Sequence, residues 1–106
     1  MKRKTIARYL NFWMFQRDRR QREFAELHQR DGDNCWRCKR PMRFDLPRSH
    51  PKAPSIEHIM PKSRGGTMAL GNLCLCHRRC NWELGDKTPE VKERMRLRAE
   101  GQSVTA

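Results

Sequence analysis

Acidic residues are scarce in this chain and long apolar runs are missing from it. Twelve Asp and Glu stand against 24 Lys and Arg in 106 residues, a formal net charge of +12. The surface must carry a strong positive field, for which nucleic acid is the default partner; a ribosome-associated zinc protein and a merely basic, soluble surface are the blander readings. Apolar residues make up 36% of the chain, which bounds it to one small domain whose core needs a staple. The apolar stretch in MKRKTIARYLNFWMF is too short to span a bilayer. As a signal peptide it contains Arg8 and Asn11, lacks a small-residue cleavage site and runs on into QRDRRQR. The expectation is an unprocessed, cytoplasmic protein with no membrane association.

A disulfide framework is also missing. The five cysteines are odd in number, and Cys35-Trp-Arg-Cys38 has a C-x-x-C spacing that favours metal or redox chemistry in a reducing compartment. No thioredoxin-like βαβ pattern surrounds the pair.

Apolar residues at helical spacing (Ile6, Tyr9, Leu10, Trp13, then Phe24 and Leu27) predict one long helix or two shorter ones over 5–30. Arg17, Arg19, Arg20 and Arg22 lie on it, either as a solvated face or as an edge that contacts phosphates. DGDN at 31–34 is a turn, and RFDLPRSHPKAP, 43–54, with three prolines, is a loop in which His50 is inert. SIEHI alternates like a short half-buried strand, on which Glu57 and His58 point to opposite faces unless a bulge or the strand's end brings them together. Pro61 and Gly65-Gly66 turn the chain. Asn72-Leu-Cys-Leu-Cys76 reads as a second strand, HRRCNWEL, 77–84, as a helix ending at Gly85, and Thr88-Pro89-Glu90 as the start of a last helix. Gly101 is its expected stop, and QSVTA its disordered tail.

Strand, turn, strand, helix is thus the order around Glu57, His58, Asn72 and Asn81. Here the sequence resembles the HNH nuclease family, through EHIMPKSRGG, GNLCLCHRRCN and the 14- and 9-residue steps from His58 to Asn72 and from Asn72 to Asn81. The resemblance covers 35–87. It implies a general base at His58, a loop-holding residue at Asn72 and a catalytic-metal ligand at Asn81. It also implies a second ligand at Glu57, where family members commonly carry Asp. Chemistry agrees: phosphodiester hydrolysis needs an activated water and a cation at the phosphate. Histidine suits the first task near neutral pH, and a carboxylate with an amide oxygen suits Mg²⁺ or Mn²⁺. Arg64, Arg78 and Arg79 are candidate nucleic-acid contacts, with solvated arginines as the plain alternative.

Zinc-containing members of the family carry a second C-x-x-C just before the third motif residue. Here that place holds His77-Arg-Arg-Cys80, so the resemblance implies a Cys₃His structural zinc site from Cys35, Cys38, His77 and Cys80. Cys76 competes with His77 for the fourth place.

The sequence therefore predicts an α+β protein with a ββα-metal core and a zinc knuckle. An N-terminal basic helical segment spans 1–34, the nuclease core 35–87, and a C-terminal helix and tail 88–106. The expected function is divalent-metal-dependent DNA endonuclease. The alternative is a non-catalytic zinc module that binds nucleic acid within a larger assembly, which would give Glu57, His58 and Asn81 no reason to occur together.

Overall fold

The computed structural model describes the backbone of residues 2–105 and the side chains of residues 16–99. The predicted apolar stripe at Ile6, Tyr9, Leu10 and Trp13 and the arginine at position 8 lie outside the described side chains. Helix α1, Lys2–Asp31, is one uninterrupted helix, as the lack of Pro and Gly allows, and it ends at Gly32, whose φ of 78° suits a residue without a side chain. Leu27 is its buried anchor, and Phe24 packs edge-on to Phe44 of the proline-rich loop. The Arg30 guanidinium donates to the carbonyls of Leu70 (2.9 Å) and Leu73 (2.8 Å), tying the end of α1 to the start of strand β2.

Strand β1, Pro54–His58, pairs antiparallel with β2, Leu73–His77, in the register Ile56 to Leu75 and Glu57 to Cys74. Strand β2 begins one residue later than its alternation suggests, because Leu70–Asn72 close a 3-10 turn. All five of its residues are buried, with Leu73 and Leu75 on one face and Cys74 and Cys76 on the other. Helix α2, Arg78–Leu84, follows directly and buries Cys80 and Leu84. Helix α3, Pro89–Thr105, starts as expected, with the Val91 N–H donating to Thr88 Oγ1 (3.4 Å). It does not stop at Gly101. A helix-interior glycine costs only about 1 kcal/mol relative to alanine, and no proline follows to end the hydrogen-bond ladder. Among the described residues the result is an α+β fold of three helices and a two-stranded sheet. Among the described residues no helix is long and apolar enough to cross a membrane.

The turn between the strands depends on paired glycines. Gly65 has φ 88°, and a Cβ on Gly66 would sit 1.8 Å from the Met60 carbonyl oxygen. Backbone atoms cannot yield as a flexible side chain would, so Gly66→Ala is expected to lower stability by roughly 1–3 kcal/mol in urea unfolding. Gly71→Ala meets nothing within 4 Å and should stay within about 0.5 kcal/mol of wild type.

Candidate active site and metal centre

Four side chains converge where β2 becomes α2. The Sγ atoms of Cys35, Cys38 and Cys80 and a ring nitrogen of His77 all lie within 4.8 Å of one another. The knuckle that carries the first two is closed by the Lys39 N–H on the Cys35 carbonyl (3.0 Å) and the Cys35 N–H on the Arg40 carbonyl (2.9 Å). Lys39 takes the left-handed conformation, φ 65°, to make that turn. His77 Nδ1 is 3.3 Å from Cys38 Sγ and 3.9 Å from Cys80 Sγ, while Nε2 is 3.0 Å from the Pro41 carbonyl oxygen. A carbonyl only accepts, so Nε2 carries the proton and Nδ1 turns its lone pair to the thiols, the second-sphere arrangement that prepares a histidine to bind a metal. Bond lengths of about 2.3 Å to sulfur and 2.0 Å to nitrogen give tetrahedral edges of about 3.5–3.8 Å. The cluster can hold a metal ion, and its donor set is that of a structural zinc site.

Cys76 is not among the four. Fully buried, its thiol hydrogen-bonds to Cys35 and Cys74, and these bonds together with burial push its ionisation up, so it stays protonated. The ionisation of Cys35 is pushed the other way, down, chiefly by the same neighbouring thiol. His77→Ala should therefore lose metal in the purified protein by elemental mass spectrometry. Cys76→Ser, which keeps a donor at Cys35, should retain one ion per chain, and the reverse pattern would make Cys76 the ligand.

The expected HNH residues lie along β1 and its turn. Asn72 spans the turn: its Oδ1 accepts from the Met60 N–H (2.8 Å), and its Nδ2 donates to the carbonyls of Met60 (3.1 Å) and Thr67 (2.9 Å). His58 ends β1, with Nε2 3.0 Å from Met68 Sδ. A thioether sulfur only accepts, which leaves Nδ1 as the basic nitrogen. Partial burial, then the charges of Lys62 and Lys92, push the His58 pKa below its ordinary value, against a smaller opposite pull from Glu23.

The outer edge of β1 is closed by side chains. The Ile59 N–H donates to the Asn72 carbonyl (2.9 Å). By antiparallel alternation the Ile56 and His58 carbonyls then face away from β2. Asn81 of α2 covers the first, with Nδ2 at 3.1 Å from the Ile56 oxygen and 3.0 Å from Ser55 Oγ. Lys92 of α3 covers the second, with Nζ at 2.7 Å from the His58 oxygen and 3.2 Å from Glu57 Oε1. Lys92 is fully buried and Glu57 is 5% exposed. Burial pushes the Glu57 carboxyl up and the ammonium pulls it back. Glu57 Oε2 is buried without a partner.

Glu57 and His58 thus diverge, as strand neighbours do: the first meets α3, the second the turn residue Met68. Among the described residues no hydrogen bond joins the Glu57 carboxylate to Asn81 or to the His58 ring, and Asn81 commits its amide hydrogens while its oxygen accepts no hydrogen bond from them. Sequence reasoning missed Lys92, whose steps of three and seven residues to Met95 and Ala99 set it on the inward side of α3.

The arginines divide. Arg64 Nε donates to the Asp86 carbonyl (2.7 Å), Arg79 lines a cavity of about 380 Å³ with Arg37, Arg40 and Arg98, and Arg78 donates to the Arg48 carbonyl. Beside Asn81, a groove of about 280 Å³ is flanked by Arg20, Arg48 and Arg78. Arg19 is instead paired with Glu23 at 3.1 Å. Arg48 carried no signal in the sequence. His50 Nδ1 accepts from the Lys52 N–H (3.1 Å), a local turn bond.

No curated protein and no solved structure matches the chain. The family model described as HNH endonuclease matches residues 35–97, from the first cysteine of the knuckle to beyond Lys92 on α3. The chain belongs to the HNH endonuclease family.

Proposed function

We propose that the protein is a divalent-metal-dependent endonuclease that hydrolyses DNA phosphodiester bonds on a ββα-metal core, with His58 as general base and zinc as the structural ion of the Cys₃His cluster. The observation that carries the reading is His58 itself. Its ring is fixed at Nε2 by Met68, its Nδ1 is left basic, and its pKa is depressed. It is therefore neutral and proton-accepting near pH 7, as base catalysis requires. Asn72 acts on geometry, by holding the turn that carries Met60 and Thr67 against β1.

Glu57 and Asn81 are the residues that would hold a catalytic Mg²⁺ or Mn²⁺. They fit such an ion chemically, since Glu57 Oε2 is a buried oxygen with no partner and both donors are hard oxygens. When bound, the ion supplies charge neutralisation at the phosphate and at the leaving oxygen. His58 Nδ1 takes the proton of the attacking water. Arg20, Arg48 and Arg78 border the groove beside Asn81 and bind the flanking phosphate backbone.

The test is plasmid cleavage with and without added Mg²⁺ or Mn²⁺. His58→Ala should lower the rate by about 10²–10⁴-fold and leave metal content and DNA affinity unchanged. Asn81→Ala should be partly rescued by raised metal, and His58→Ala should not. The neutral imidazole is the active form and its pKa lies below the usual value, so the acid limb of the pH–rate profile should fall below about 6.5. Equal cleavage by wild type and His58→Ala would remove the assignment. Cleavage by neither, with DNA binding intact, would favour the non-catalytic binding module.

The groove makes a separate prediction for binding. Arg20→Gln with Arg48→Gln should make the log–log dependence of DNA affinity on salt shallower, by about 0.9 for each phosphate that is no longer neutralised. An unchanged slope would assign both arginines to a solvated face.

A further inference from the structure

We infer that Lys92 is a positioning residue for the catalytic strand: one ammonium clamps Glu57 Oε1 and the His58 carbonyl, leaving Oε2 as the single carboxylate oxygen available to a divalent ion. The inference rests on the metal-dependent reading above and deepens it. Its ground is a lysine with no exposed surface, at 3.2 Å from one acceptor and 2.7 Å from the other, next to a carboxylate oxygen that is buried and unpartnered.

A lysine in that place is expensive to bury, and a pair of apolar residues of similar volume usually serves stability at least as well. Helix α3 already has other holds, with Met95 against the core and the Arg96 guanidinium over the Trp36 ring at 4.8 Å. What the ammonium adds is orientation. It bonds two consecutive residues of β1, one through the side chain and one through the main chain, so the carboxylate rotamer and the strand end that carries the imidazole are set by the same atom. Residues that orient a metal ligand typically contribute about 10–100-fold to metal affinity. The opposing effect is repulsion, because a fixed ammonium near a divalent ion disfavours it. The two accounts predict opposite signs.

The experiment measures Mn²⁺ binding by electron paramagnetic resonance, without DNA, on the zinc-loaded full chain. Manganese competes poorly for the thiolate cluster, so the signal reports the oxygen ligands. Lys92→Met should weaken Mn²⁺ binding by about 10–100-fold. Glu57→Gln should weaken it at least as much, and the double variant should equal Glu57→Gln, because Lys92 acts through Glu57. Binding by Lys92→Met as tight as wild type, or tighter, overturns the inference, as does a full additional loss in the double variant.

If Lys92→Met loses zinc or its cooperative melt, Lys92→Arg decides. It keeps the charge but not the compact donor geometry. A several-fold weaker Mn²⁺ midpoint with unchanged zinc content supports the clamp, and an unchanged midpoint overturns it. Should wild type and Glu57→Gln bind Mn²⁺ alike, the metal assignment itself fails and the clamp falls with it. A loss in Glu57→Gln without one in Lys92→Met removes only the clamp.

Discussion

The imidazole of His77 is gripped from both sides, and the arrangement of the small core follows from that grip. One ring nitrogen is fixed on the Pro41 carbonyl and the other faces the thiols of Cys38 and Cys80. His77 is also the last residue of β2 and directly precedes α2. An ion at the cluster therefore fastens the knuckle at 35–41 to the point where strand becomes helix. Much of the buried core is itself cysteine: Cys35, Cys74, Cys76 and Cys80 stand beside Leu27, Met42, Leu73, Leu75 and Leu84. Hydrophobic burial in so small a core leaves little margin. Structural zinc in comparable small modules contributes on the order of 10 kcal/mol to folding, enough to decide whether the fold forms.

From that junction the helix direction is set, and with it the position of Asn81, one residue after Cys80 of the cluster. Asn81 then meets the open edge of β1 rather than solvent. A two-stranded sheet has two such edges, each a row of backbone groups in need of partners. On β1 the side chains of Asn81 and Lys92 fill that need at Ile56 and His58. The residues that close the sheet are thus neighbours of the residues proposed for catalysis. Stability and the proposed chemistry share one strand, and substitutions there have to be read with metal content and melting measured alongside activity.

Charge is distributed in the same economical way. Acidic residues are few, and several are engaged in ion pairs: Asp45 with Arg43 and Asp31 with Arg30 within two residues, Glu83 with Arg37 and Glu57 with Lys92 across the fold. The exposed pairs contribute little to stability, and their effect is to leave other arginines available around the groove beside Asn81. The buried pair is different in kind, since breaking it would strand a carboxylate in the core, which typically costs about 3–5 kcal/mol.

Local chemistry was legible in the residues themselves. The Gly65-Gly66 turn, the Thr88 cap, the alternation of NLCLC and the C-x-x-C knuckle each concern residues within a few positions, where sterics and period leave few choices, and the His77–Cys80 spacing was implied by the family resemblance. Asn72 as a loop tie was implied by the family resemblance, and its partners Met60 and Thr67 lie within twelve residues. Gly101 misled, because a glycine ends a helix only when the following residues favour leaving it, and here they do not. What tertiary structure alone decided was which distant groups meet. Period and turn signals describe one element at a time, whereas Lys92 reaches Glu57 across 35 positions and Arg48 joins Arg20 at a groove made by a loop and a helix. Such meetings are products of packing. They depend on where α3 and α1 settle against a sheet whose edge has unfilled hydrogen bonds, and no spacing within either segment records that edge.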